Sequence, residues 1–128
     1  MKFVTTLILV AASGMCGAAE PSYTKQFSAC MSASDGVTDA MLDCIATETR
    51  NQDAMLNATY KVALKATRKP RQPRLQEAQR NWLKFRDSNC GFYADPEHGT
   101  SADVAAADCA LSMTAAREQE LRMFTESE

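Results

Sequence analysis

Apolar residues recur along this chain at three- and four-residue intervals, and no stretch alternates strictly enough to make a strand. Tyr23, Phe27, Cys30 and Met31 form a first short stripe, closed by Ser34-Asp35-Gly36. With Thr38 as a cap, a second stripe runs through Met41, Cys44, Ile45, Glu48, Gln52, Met55, Leu56, Thr59, Tyr60 and Leu64. It predicts one long helix to about Arg68. Lys69-Pro70-Arg71-Gln72-Pro73 ends it, because proline cannot continue a helix and restricts the residue before it. A third helix is expected from about Arg74, with Leu75, Ala78, Gln79, Trp82, Leu83, Arg86 and Cys90 on one face. Asp95 to Ser101 reads as a loop. Thr100 and Asp103 look like a capping box with aspartate in place of glutamate. The last helix carries Val104, Ala107, Leu111, Thr114, Arg117, Leu121 and Phe124 on its stripe. The expected fold is all-α, a small disulfide-stapled bundle of about four helices.

The N-terminus belongs to a different kind of segment. One basic residue, Lys2, precedes the apolar run Phe3 to Ala12, and small residues follow up to Ala19. That order is the mark of a secretory signal peptide, here residues 1–19, with the domain occupying residues 20–128. The apolar run is too short for a comfortable bilayer span of roughly 20 residues, so no stable membrane anchor is expected. Cys16 is preceded by Ser13-Gly14-Met15, which departs from a lipoprotein cleavage box. The expected location is periplasmic or secreted. Beyond the signal, Cys30, Cys44, Cys90 and Cys109 make an even set, which in a small exported domain reads as two disulfides. Of the three pairings, Cys30–Cys44 with Cys90–Cys109 is expected, because each joins chain neighbours across a predicted turn. Loops of that length are worth ~3 kcal/mol each in the chain-entropy model.

Charge is unevenly distributed. Residues 61–86 hold nine Lys/Arg against Glu77 alone, while residues 87–128 hold two Arg against nine acids. Residues 20–60 are also acidic on balance. The basic hairpin suits an anionic glycan or lipid surface, or is simply a solvated helix–helix tip. The acidic remainder suits a cationic protein partner. Export and net acidity argue against nucleic acid.

Residues equipped for catalysis are few. His98 is the only histidine and lies in a polar loop, with no base or nucleophile assigned to it by the sequence. A zinc site needs about four Cys/His ligands, and the cysteines are committed elsewhere, so no metal or cofactor is expected. Asp39 and Asp43 share a face but lack the apolar setting that would split their acidities. No glycine-rich phosphate loop is present. Polar residues on the core stripes are more informative. Glu48, Gln79, Arg86 and Arg117 fall at or beside apolar positions, and a buried charge must be paired. Glu48 or Asp87 is therefore expected to pair with Arg86 or Arg117 inside the bundle.

Three segments carry a family resemblance. Gln79-x-x-Trp82-x-x-Phe85-Arg86-Asp87-x-x-Cys90 resembles the signature of the LprI-type lysozyme-inhibitor domain. Upstream, Cys44, Glu48 and Leu56-Asn57-x-x-Tyr60 resemble that family's second helix. Downstream, Cys109, Thr114, Arg117 and Leu121 resemble its last. The resemblance implies a small exported helical domain that binds lysozyme or a related peptidoglycan hydrolase stoichiometrically and is not an enzyme. It also makes Asn57, Tyr60, Trp82, Arg86, Asp87 and Arg117 framework residues. The alternative is an envelope adaptor or an immunity protein that contacts peptidoglycan or a wall-degrading toxin. The exposed loop residues Asp95, Glu97 and His98 are the candidate partner contacts.

Overall fold

The structure, a computed structural model, describes residues 21–126. The signal peptide expected at residues 1–19, Cys16 included, lies outside the described residues. Four α-helices account for nearly all of the remainder: α1 Lys25–Ala33, α2 Thr38–Ala66, α3 Gln72–Tyr93 and α4 Thr100–Glu126. Single turns of 3-10 helix at Lys69–Arg71 and Pro96–His98 lead into α3 and α4. No strand occurs among the described residues.

The helices start and stop for local reasons. Thr24 caps α1, its hydroxyl accepting from the Phe27 N–H at 3.2 Å. The turn to α2 uses two residues in the left-handed region, Asp35 (φ 49°) and Gly36 (φ 76°). Thr38 is not the cap expected for α2. It is the first helical residue, after Val37, which makes no side-chain cap bond. The α2 helix stops at Ala66 rather than Arg68. Thr67 turns extended (ψ 130°) and its hydroxyl bonds back to the Ala63 carbonyl at 2.8 Å. Gln72 then donates from Nε2 to the carbonyls of Leu64 and Thr67, satisfying two groups freed at the helix end. The α3 helix begins at Gln72, two residues ahead of Arg74, with Pro73 in its first turn where a missing N–H costs nothing. The Thr100–Asp103 capping box does not form. Thr100 is the first residue of α4, and its hydroxyl lies 3.4 Å from that of Thr38.

The chain threads as two antiparallel hairpins side by side. Cys30–Cys44 ties α1 back onto α2, and Cys90–Cys109 ties α3 to α4, with Cα separations of 5.7 and 5.4 Å. The most extensive contact is between α2 and α4. Thr38 meets Thr100 at one end, and Thr59 donates to Glu118 Oε1 at 2.9 Å further along, so α2 and α4 run in the same direction. Where they meet, Leu56, Ala63 and Leu121 form a buried cluster, packed by Tyr60, Leu75, Trp82 and Phe124.

Almost half of the buried residues are polar, so the core depends on how they are paired. Glu48 does not meet either arginine, contrary to expectation. Its carboxylate takes the Thr24 N–H on Oε1 at 2.9 Å and the Thr24 hydroxyl on Oε2 at 2.6 Å. Gln52 Nε2 adds a third bond at 2.8 Å. A glutamate that accepts the N-cap N–H is half of a capping box, here supplied from α2 to cap α1. Asp87 does pair with Arg86, but at an exposed site. Arg86 donates from Nε and Nη2 to Asp87 Oδ1 at 3.0 and 2.9 Å, and the Asp87 side chain is 69% exposed. Asp87 is therefore outside the polar core. So is Asn57, which is exposed and bonds to Asp53 across one helical turn.

The buried polar group of α3 and α4 is built on Arg117. Its Nε donates to Gln79 Oε1 at 3.1 Å and its Nη1 to Glu120 Oε2 at 2.7 Å. The guanidiniums of Arg86 and Arg117 stand 5.4 and 5.8 Å from the Trp82 ring centroid. Trp82 thus packs against two cations, an arrangement that favours arginine over lysine.

Burial alone would raise the Glu48 carboxyl. Hydrogen bonds from the Thr24 side chain, Gln52, the Thr24 N–H and Asn51 together outweigh it and hold the group below the ordinary carboxylate range. A depressed native value stabilises the fold above the unfolded value of about 4.3 and is lost as pH falls through the native value. Acid titration of stability should therefore be shallower in Glu48→Gln than in the parent below about pH 4.3. At neutral pH the variant should lose roughly 1–3 kcal/mol in urea unfolding. For the arginines, Arg117→Ala should cost about 2–4 kcal/mol, because it strands buried Gln79 and opens space beside Trp82. Arg86→Ala should cost less, about 1–2 kcal/mol: Asp87 is solvated, and what is lost is the bond from Nη1 to buried Thr114 Oγ1 at 3.2 Å, whose hydroxyl keeps its own bond to the Ala110 carbonyl. Reversal of that order would contradict the assignment of the core arginine.

Candidate functional site

One end of the bundle collects the turn between α1 and α2, the link between α3 and α4, and the N-termini of α2 and α4. The acids placed there are largely exposed: Asp35, Asp39, Glu97 and Asp103, with Asp95 half-buried. Carboxylates in the first turns of α2 and α4 are favoured by the helix dipoles, Asp39 in one and Asp103 in the other. Both disulfides lie towards this end.

The link itself is bound up by its own hydrogen bonds. Asp95 Oδ1 accepts the Glu97 N–H at 2.9 Å, and Asp95 Oδ2 lies 2.6 Å from His98 Nδ1. The His98 N–H returns to the Asp95 carbonyl at 3.0 Å. Gly99 then takes φ 65° and ψ −156°, a conformation open to glycine and costly for other residues, and so turns the chain into α4. Asp95, Glu97 and His98 are thus brought together as one ordered turn.

Residue types resembling a hydrolase triad occur within seven positions here, but they are not arranged as one. Ser101 Oγ donates to the His98 carbonyl at 2.9 Å, not to the imidazole, so no base activates the hydroxyl. Asp39 and Asp43 are both exposed. No group of three or more His, Cys, Asp or Glu fit to hold a metal occurs among the described residues. No described helix is long and apolar enough to cross a membrane.

Sequence reasoning missed the aromatics. Phe92 is 82% exposed and Phe85 is 58% exposed. They are seven residues apart on α3, so they lie on one face two turns apart. Tyr93, 48% exposed, meets Phe92 edge-on with ring centroids 5.8 Å apart. Phe92, Tyr93, Asp95, Pro96 and His98 border one shallow hollow on the surface. The signal was available: Phe85 and Phe92 fall off the Leu75–Gln79–Trp82–Arg86–Cys90 stripe. A large apolar side chain displaced from the core face is a candidate contact. Exposed aromatics beside a pre-ordered acidic turn have the composition of a protein-binding surface: anchors that bury well, within a charged rim.

The family model described as lysozyme inhibitor LprI matches residues 30–121, from Cys30 in α1 to Leu121 in the α4 core. No match was found among curated proteins or among solved structures.

Proposed function

Because the chain belongs to the LprI lysozyme inhibitor family, we propose that it is an exported, non-catalytic inhibitor that binds a lysozyme-type glycoside hydrolase stoichiometrically. Phe92 and the Asp95–His98 turn would lie at the contact. Family membership suggests lysozyme inhibition as such. The observation that carries the choice of surface is the exposed Phe92–Tyr93 pair beside an acidic turn closed by its own hydrogen bonds.

The physical argument has three parts. Enzymes that act on an anionic wall polymer tend to be cationic, and an acidic bundle end attracts a cation over several ångströms, raising the association rate. A turn already ordered in the free protein loses little entropy on binding. Phe92 and Tyr93 offer apolar area that gains most when a partner removes it from water. Two disulfides suit an oxidising compartment, in keeping with export to the periplasm or medium.

The domain should slow lysis of a bacterial suspension by lysozyme in proportion to its molar ratio to the enzyme. No slowing of any lysozyme in a panel, at high micromolar protein, would refute the inhibitor reading. Phe92→Ala should weaken the complex about thirty-fold, as for a contact worth ~2 kcal/mol, mostly through faster dissociation. Asp95→Asn with Glu97→Gln should instead lower the association rate and flatten its salt dependence. Neither variant should lower the unfolding midpoint much. Unchanged kinetics in both, with inhibition intact, would move the contact elsewhere on the domain.

A further inference from the structure

At the opposite end of the bundle, the charge sign reverses. Nine Lys/Arg lie between residues 61 and 86, and among the described residues only Arg86 of these enters an ion pair. The other eight are exposed and make no ion pair with a described carboxylate. Between the N-terminal part of α3 and the C-terminal part of α4 runs a cleft of about 350 Å³. Arg71 and Arg74 border it, and Leu75, Ala78, Leu121 and Phe124 supply its apolar lining. Arg117 and the Glu120 carboxylate also border this cleft, but they are paired with each other at 2.7 Å, and Arg117 is held further by Gln79, so Arg71 and Arg74 are the cations left to face a ligand. Val62 and Met123, on the last two turns of α2 and α4, are 57% and 53% exposed.

We propose that this basic end docks on an anionic phospholipid surface. A lipid phosphate would lie between Arg71 and Arg74, with its hydrocarbon against Leu75 and Phe124. The cations alone would serve any polyanion. The apolar cleft and the exposed Val62 and Met123 gain from hydrocarbon, which a lipid offers and a hydrophilic wall polymer does not, and that selects lipid over such a polymer. Each Lys or Arg held near an anionic bilayer multiplies partitioning about five-fold. A chain docked this way directs its acidic end away from the membrane. The proposal stands apart from the inhibitor reading, since vesicle binding and lysis are read separately.

The test is co-sedimentation of the chain, as recovered from expressing cells, with vesicles of phosphatidylcholine and with vesicles that also contain phosphatidylglycerol. Binding should require phosphatidylglycerol and be reversed by salt. Arg71→Gln with Arg74→Gln should reduce partitioning about thirty-fold, and more than Arg80→Gln with Lys84→Gln, which removes equal charge further from the cleft. Val62→Ser, at an exposed position that leaves folding intact, should weaken binding several-fold. That readout stands even if the double arginine variant does not fold. Equal binding to both vesicle types, or none at low salt, would overturn the proposal. So would equal losses in the two double variants with no effect of Val62→Ser, which would indicate unspecific adsorption. Retention on insoluble peptidoglycan without vesicle binding would overturn it in favour of a wall polymer.

Discussion

The two longest helices, α2 and α4, lie side by side in the same direction, and the layout of the molecule follows from that. Fully buried Ala63 keeps the side chains short along the seam, and Leu56 and Leu121 fill the space beside it. The Thr59–Glu118 bond fixes their relative position along the axis. Parallel alignment brings both N-termini to one end and both C-termini to the other. Helix dipoles favour acids at the first end and bases at the second. Asp39 and Asp103 on one side, and Lys65 near the end of α2 on the other, agree with that preference, whereas α4 ends without a base and on Glu126. The basic block of the sequence thus collects at one end of the bundle, beside Glu118, Glu120 and Glu126 of α4, while the N-terminal acids of α2 and α4 gather at the other.

A seam this polar holds only if each buried group has a partner. No buried side-chain nitrogen or oxygen among the described residues lacks one. The solutions are made between elements. Glu48 on α2 completes the cap of α1, Thr59 on α2 meets Glu118 on α4, and Gln79 on α3 holds Arg117 on α4. Such pairs add little net stability compared with an apolar core, but removing one partner is expensive. Small domains gain little from apolar burial alone. Each disulfide here ties one antiparallel hairpin at the acidic end; among the described residues the opposite end, with its cleft, has the chain link between α2 and α3 and no disulfide.

The two poles differ in kind. At the acidic pole the backbone is pinned by disulfides and by the Asp95–His98 turn, and aromatic side chains stand exposed beside it. That combination suits a rigid protein partner. At the basic pole long, flexible cations surround an apolar cleft. That combination suits a deformable anionic surface, because such side chains adapt to a charge layer more readily than to a fixed epitope.

Much of this was legible from the chain alone. Period 3.6 marked all four helices, Pro70 and Pro73 marked the break between α2 and α3, and nearest-neighbour logic along the chain anticipated the cysteine pairs found in the structure. These features are local: each depends on backbone sterics or on residues close in sequence. What was misread was long-range. The sequence leaves Glu48 or Asp87 as the partner of a core arginine; Asp87 meets Arg86 at the surface, and Glu48 instead meets Thr24, 24 residues away, whose N–H is free only because α1 begins there. Asp87 and Asn57 sit in motifs that look like framework, yet both are exposed, because a helix stripe gives an angle and not the depth of the neighbour facing it. Exposure of Phe85 and Phe92 had the same origin. The sequence by itself determined the helices, their breaks and the two blocks of charge. Only the tertiary structure decided that α2 and α4 run parallel, and hence which acids, bases and aromatics share an end, because that direction is set by side chains meeting across tens of residues and by no local preference of the backbone.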